Sequence, residues 1–361
     1  MCIRDRIYPQ DVLTLMASSE FEAEVRNILA CVDDSMTDLE KALAVHDYFV
    51  LNYKYDYTYS NYSKEKIFTE KKGVCAAYTD AYEYIMQDKL GVPCVYVSSD
   101  GMNHAWNLIK IDGNWYHVDC TWDDSYRCQH LHFLVSDSAM ADDEREHYDW
   151  ESPYKATSTK YDDYFWKYID SRIILIDGYY YYITSEGDIC KRNVTSGKTN
   201  TIYSLYTSWP CYNKPGWHWR GNYSGFEYCN DMLYANTNSK IISMNLSGNN
   251  VKTVVSQDTD EGYIYGFVLK GNKLVYDISR DVHEFEVESQ KSIIIRHILG
   301  DITCDGNVNR SDLLRFAKHF SGWDVEMDDE STDINGDGNV NRMDLLRLAK
   351  YFAGWEVQLG K

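Results

Sequence analysis

Nowhere in these 361 residues does an apolar run approach the ~20 positions that a membrane-spanning helix needs, so no bilayer span is expected. Positive charge is scarce too: 36 Lys and Arg stand against 56 Asp and Glu, a formal charge of −20. Nucleic-acid phosphates need a basic face, which excludes that class of partner. No CxxC pairs recur at zinc spacing, and the ten cysteines form no dense framework. In an oxidising setting, Cys120 with Cys128 or Cys211 with Cys229 are open as pairs, and buried free thiols are equally compatible. The opening MCIRDRIYPQ carries charge but leads into an amphipathic helix rather than an apolar secretory core, so no signal peptide is visible. Its first six residues fit no structural pattern and read as a remnant.

What is present suggests two or three domains, since 361 residues that are 44% apolar can fill several cores. Up to about 165, helical and strand patterns alternate. Thr37 and Glu40 form a capping box ahead of KALAVHDYFVLN. A second helix begins near Cys75 and stops at Gly91 and Pro93. VPCVYVSS reads as a strand, and HAWNLIKIDGNWYHVDCTW as a hairpin turning on Asp112-Gly113. From 170 to 298 the texture is β-rich and tyrosine-heavy. DGYYYYITSEGDICKRNV, NDMLYANTNSKIISMNL and GNKLVYDISRDVHEFEV repeat one scheme, which predicts an all-β, propeller-like repeat domain. The aromatic run WPCYNKPGWHWRGNYSGF suits sugar stacking, but strand packing explains it more simply. Residues 300–361 hold a duplication: GDITCDGNVNRSDLLRFAKHFSGW and TDINGDGNVNRMDLLRLAKYFAGW.

Cys75 falls at a helix start directly after Gly73-Val74, where the helix dipole and unpaired N–H groups favour a thiolate. A nucleophilic thiol also needs a base, and the base needs an orienting group. The hairpin supplies both. With Ile111 opposite Asn114, pairing puts His104 opposite Thr121 and Trp106 opposite Asp119. Alternation then sets His104 and Asp119 on one face as diagonal neighbours. The expected catalytic set is Cys75 as nucleophile, His104 as its ion-pair partner and acid, and Asp119 as the carboxylate that orients the imidazole. The Cys75 N–H supplies one oxyanion donor; no second donor is legible. Cys94 and Cys120 are read as buried strand residues, and Cys128, His130 and His132 as structural.

These residues resemble the transglutaminase-like superfamily: GVCAAYTDAYEYI, NHAWNLIKIDGNWYHVD and CTWDD stand in its order, after a similar lead-in helix EKALAVHDYFVLNYKYDY. The resemblance covers about 36–150. It implies an α+β papain-like core with Cys75, His104 and Asp119 as catalytic residues, no cofactor for catalysis, and a peptide or protein substrate. It leaves hydrolysis and transamidation both open.

In the tail, Asp333, Asn335, Asp337, Asn339, Asn341 and Asp344 follow the spacing of a calcium loop, with Gly338 at the sharp turn. The first copy offers Asp301, Thr303, Asp305, Asn307, Asn309 and Asp312. A hydroxyl is a poorer ligand than an amide oxygen, so Thr303 predicts weaker binding at the first loop. Two loops, each leading into DLLRxAKxF and closed by aspartate, resemble a type I dockerin, with Thr303-Cys304 where Asn-Gly is usual. That resemblance implies a small α-helical domain holding two Ca2+ and binding a cohesin module of a scaffold protein. It assigns Arg310, Ser311, Lys318, Arg342, Met343 and Lys350 to that contact. It also implies an extracellular, cellulosome-associated setting. The expected division is 1–165 catalytic, 170–298 β-rich repeat and 300–361 dockerin. A competing expectation is a non-catalytic scaffold-attached subunit whose β domain binds carbohydrate or protein.

Overall fold

The computed structural model describes residues 20–124, 128–211, 214–280 and 289–360. The segment MCIRDR and the DVHEFEV half of the third repeat lie outside the described residues. The chain divides into two compact units. The first runs to Ser208 and takes in His218–Tyr223; the second holds Trp209–Trp217 and Ser224 onward.

In the first unit, helix α1 (20–29) is followed by α2 (Asp38–Asn52), which starts on the expected capping box. The Thr37 side chain accepts the Glu40 N–H, and the Glu40 carboxylate accepts the Thr37 N–H. Short strands β1 (Lys54–Tyr55) and β2 (Lys72–Gly73) pair in parallel around α3 (Lys64–Glu70). Helix α4 (Cys75–Glu83) runs on into a π-helical turn over Tyr84–Lys89.

A five-stranded antiparallel sheet follows, made of β3 (Cys94–Ser99), β4 (His104–Ile111), β5 (Asn114–Val118), β6 (Phe133–Val135) and β7 (Trp150–Glu151). Its order is β6-β5-β4-β3-β7. Short helices α5 (Cys120–Asp123) and α6 (Asp137–Met140) flank β6. Asp112 and Gly113 both take positive φ (50° and 80°), which gives the β4–β5 hairpin the tight turn its sequence calls for.

Strands β8 (Ile174–Ile176), β9 (Tyr179–Ile183), β10 (Asp188–Asn193) and β11 (Thr199–Ser204) form an antiparallel meander. Tyr180, Tyr182 and Cys190 from it share one buried core with Val25, Phe49, Tyr82 and Val118. Burial of these aromatic rings keeps the meander inside the first unit, so the 165–170 division read from texture falls within that unit.

The second unit holds a four-stranded meander (Phe226–Cys229, Met232–Asn236, Lys240–Met244, Lys252–Ser256) and a three-stranded one (Tyr263–Lys270, Lys273–Ser279, Ser289–Ile294). The strand pairing establishes meanders and does not show a closed propeller. Trp209 is buried and donates from Nε1 to the Ile264 carbonyl at 2.8 Å, a packing role. Helices α7 (Arg310–Phe320) and α8 (Arg342–Phe352) close the unit around Ile302, Phe316, Ile334 and Leu348.

None of the nine described cysteines forms a disulfide, so neither Cys120–Cys128 nor Cys211–Cys229 is made. Cys120 lies in the main core, while the Cys128 thiol is hydrogen-bonded to the Asp47 carboxylate. No helix among the described residues is long and apolar enough to cross a membrane.

Candidate active site and calcium loops

Gly73 lets α4 begin where it does. A Cβ there would stand 2.7 Å from the Ala77 Cβ and 3.2 Å from Ile67. Val74, the cap residue, is extended and offers no side-chain acceptor, which leaves first-turn N–H groups available. Burial of the Cys75 thiol opposes its ionisation. The hydrogen bond and charge of His104, aided by the N–H groups of Ala105 and Ala76, outweigh burial and lower its pKa.

His104 opens β4, and its Nε2 lies 2.6 Å from Asp119 Oδ2. That leaves Nδ1 as the nitrogen for the thiol. Burial disfavours the imidazolium, but the charge and hydrogen bond of Asp119, then those of Cys75, raise the His104 pKa to about 10. Asp119 is buried; its Oδ1 accepts the N–H groups of Thr121 and Trp122 at 2.9 and 3.2 Å, capping α5. Burial would raise its pKa, yet His104 and His147 hold it far below the usual carboxylate range. His104 also stacks on Trp106 and lies beside Trp122, with ring centroids 5.5 Å away in each case.

Cys75, His104 and Asp119 thus meet, though not by the route the pairing predicted. Ladder pairs run from Ile111–Asn114 to Asn107–Val118 and stop there. His104 does not face Thr121, and Trp106 does not face Asp119. The chain leaves the strand after Val118 because Asp119 turns to cap α5, and that turn swings its carboxylate towards His104.

In the second unit, the two loops share one scheme. Asp301 accepts the N–H groups of Asp305 and Gly306 at 3.0 and 2.9 Å. Asp312 accepts those of Thr303 and Asn309 at 2.8 and 2.7 Å. Asp333 and Asp344 do the same for Asp337, Gly338, Asn335 and Asn341. Thr303 Oγ1 lies 2.8 Å from Asp312 Oδ1. In the second loop, Asn335 donates to Asp337 and Asn341 to the Asn339 carbonyl; in the first, Asn309 Nδ2 reaches Asp305 Oδ2 at 3.0 Å, and the Asn307 N–H donates to Asp305 Oδ1 at 2.9 Å. Gly306 and Gly338 turn at φ 86° and 82°. Cys304 holds the left-handed φ of 57° where glycine would be unstrained. Burial, with Asp305 and Asp312 nearby, raises the Asp301 pKa, an acidic cradle that suits a hard divalent cation. When bound, calcium would supply the charge that holds these carboxylates together.

The first loop has help from outside its own segment. Gly271 (φ 62°) lies against Asp305, where a Cβ would come within 2.4 Å of the backbone. Next to it, buried Asn272 donates from Nδ2 to Asp301 Oδ2 at 3.1 Å. Asn272→Ala should weaken calcium binding at one of the two sites by about tenfold and spare the other. Calorimetric titration of the full chain separates the two sites. On α7 and α8, Arg310, Ser311, Arg342 and Met343 are exposed. Lys318 and Lys350 are half-buried, each over a tryptophan ring, Trp323 and Trp355.

In comparison with known families, residues 28–120 match the transglutaminase-like superfamily and residues 299–353 the type I dockerin domain. The first segment is transglutaminase-like and the last is a dockerin. A solved TGase crystal structure aligns at 15% identity and TM-score 0.26, over 33% of this chain and 34% of that one. A structural-genomics protein of Bacteroides thetaiotaomicron aligns at 12% identity and TM-score 0.23, over 30% of each chain. The N-terminal domain of Nup159 aligns at 11% identity and TM-score 0.25, over 54% of this chain and 43% of that one. The chain thus spans about a third of the length of the first two structures. A search of curated proteins finds no match.

Two features of the transglutaminase-like unit carry no motif. One is a set of exposed tyrosines on the loop before α3: Tyr57, Tyr59 and Tyr62 each expose about 60% of their surface (61, 60 and 59%). Asp56 fixes their loop by accepting from Thr58, Ser60 and Asn61, and the Asn61 carbonyl takes the Val74 N–H at 2.9 Å. The other is a buried histidine–aspartate cluster. His46 donates Nδ1 to Asp47 and Nε2 to Asp123, both at 3.0 Å. His130 donates Nδ1 to the Ile169 carbonyl and Nε2 to Asp47. Burial opposes charge on His46, but Asp123 and Asp47 raise its pKa to about 9. His46, Asp47 and His130 stand close enough to ligate a metal, but in this arrangement protons occupy the ring lone pairs that an ion would use. His132 donates to Asp123 as well, so His130 and His132 of the CQHLH run brace the fold.

Proposed function

We propose that the transglutaminase-like unit is a cysteine-dependent enzyme that acts on amide bonds through an acyl-thioester on Cys75. One observation carries this reading: His104 stands 2.6 Å from Asp119 on one side and, on the other, acts on the Cys75 thiol strongly enough to lower its pKa against burial. The lowered thiol pKa and the raised imidazole pKa together favour the thiolate–imidazolium pair. In the reaction, the Cys75 thiolate attacks the acyl carbon and the carbonyl electron pair moves to oxygen, towards the first-turn N–H groups. Collapse breaks the C–N bond, and His104 gives its proton to the departing amine. Asp119 keeps the ring oriented and balances its charge while protonated. Water or a second amine then loses a proton to His104 and attacks the thioester, which releases acid or new amide and restores the starting pair.

The substrate is a peptide or protein chain, and we favour hydrolysis over transamidation. The dockerin would bind a cohesin module in a calcium-dependent manner, which places the enzyme in an extracellular, cellulosome-type assembly. Catalysis then belongs to the first unit and attachment to the duplicated tail from 300 onward.

A peptide library incubated with the full chain, with and without a primary amine, tests this. Amide cleavage that Cys75→Ala abolishes supports the enzyme, and amine conjugates show transamidation. No turnover, with Cys75 no more reactive than other thiols, overturns it in favour of a scaffold-attached binding subunit.

A further inference from the structure

His147 belongs to no motif, yet it occupies a decisive place. It is 1% exposed, and its Nε2 lies 3.0 Å from Asp119 Oδ2, the same oxygen that His104 engages at 2.6 Å. Its other nitrogen, Nδ1, lies 2.7 Å from the Arg145 carbonyl oxygen. A carbonyl and an ionised carboxylate only accept hydrogen bonds, so both ring nitrogens of His147 must donate. A ring that donates twice is an imidazolium.

We propose that His147 is a positioning residue that holds a standing positive charge behind Asp119. The proposal rests on the reading of Cys75, His104 and Asp119 as the catalytic set. With it, the buried group balances: thiolate and carboxylate against two imidazolium rings. The cluster of His46 and His130 with Asp47 and Asp123 shows the same pairing of two double-donor rings with two carboxylates.

Asp119 faces His147 from the cap of α5, His104 from β4 at a ring distance of 5.5 Å, and His132 at 5.4 Å. His117 on β5 senses its charge, while Trp106 and Trp122 pack on its ring at 4.8 and 4.3 Å. On its own segment Arg145 and Glu146 adjoin it in sequence. His117 accepts from Trp106 Nε1 on Nδ1, so it carries no second proton there. Among the described residues, Asp119 is the one anion in hydrogen-bond contact with the ring.

A cation at this place favours the thiolate and disfavours the His104 imidazolium. Its removal therefore raises both pKa values that bound the reactive ion pair, whereas a merely structural loss lowers the rate without moving either. His147→Gln keeps a donor towards Asp119 and removes the charge. In the full chain, alkylation of Cys75 by iodoacetamide, followed by mass spectrometry from pH 5 to 11, reads both limbs. We expect the Gln variant to move both limbs upward by roughly one pH unit. His147→Lys should return them towards the parent positions.

Unmoved limbs in the Gln variant overturn the inference, even if the rate falls. Nitrogen NMR of the parent's histidine rings tests it without a variant: both ring nitrogens of His147 should carry protons in the folded parent, and a neutral tautomer overturns it. If parental Cys75 shows no reactivity below the ordinary thiol range, the catalytic reading itself fails, which is a separate outcome.

Discussion

At pH 7, a thiol-directed electrophile should modify Cys75 at least a hundredfold faster in the parent than in His104→Ala. An unperturbed thiol with a pKa near 8.5 is only a few per cent ionised at pH 7. Cys75 starts from a half-buried site that would make ionisation harder still, and His104 reverses this through its hydrogen bond and charge. Remove the ring and burial acts alone. Cys94, Cys120, Cys128, Cys190, Cys229 and Cys304 are raised by burial, so they form a slow internal reference in the same sample. The pH dependence has a definite sign. Reactivity should appear as pH rises through the lowered thiol pKa, and proton donation to a leaving amine should fail as pH passes about 10, where His104 gives up its proton. Turnover of any amide substrate should fall by about 10³-fold or more in the same variant. Equal labelling of parent and variant would refute the ion pair.

Calcium chelation should produce the second large effect, confined to the dockerin. Among the described residues its core has four fully buried apolar side chains, Ile302, Phe316, Ile334 and Leu348. Around them stand Asp301, Asp312 and Asp344, each with no solvent exposure. Without a cation, these desolvated carboxylates repel one another, and so small a core offers little to offset that cost. Chelation of the full chain should reduce the helical signal of α7 and α8 and weaken cohesin binding by about 10³-fold or more. Cys75 labelling should not change. Circular dichroism and calorimetry against a cohesin module check both parts. Retained cohesin binding after chelation would remove calcium from the account.

The sequence and the fold agree best where the signal is local. Thr37 and Glu40 announce a helix start because the two groups that must meet lie three residues apart. Asp112-Gly113 announces a hairpin because only those backbone angles let the strands fold back. The loops of calcium spacing are legible for the same reason: one short segment supplies nearly all the candidate ligands. The meander from Ile174 to Ser204 was also visible as strands. Its place was not, since the burial of Tyr180 and Tyr182 against Phe49 and Val118 depends on residues far away in the chain.

The candidate active site divides in the same way. Cys75, His104 and Asp119 could be chosen from sequence because a helix start, a strand start and a strand end each leave a local mark. The path that joins them could not, because a strict ladder would have carried Asp119 past His104, and helix capping by the same carboxylate ended the ladder early. His147 left no mark at all: EREHYDW has no spacing that points to a carboxylate 28 positions earlier. The cluster of His46, Asp47, Asp123 and His130 was equally hidden, although each residue was in plain view.

The amino-acid sequence by itself determined the chemistry on offer: a thiol at a helix dipole, a hairpin bearing an imidazole and a carboxylate, and two acidic loops of calcium spacing. Tertiary structure alone decided which buried charges face which. It set two imidazoles on one aspartate, brought Asn272 to a loop 29 residues away, and drew the tyrosine meander into the first core. The physical reason is range. Capping, turns and loop ligation act over a few residues and can be read along the chain, whereas desolvation and charge pairing act through space and exist only once the chain has closed on itself.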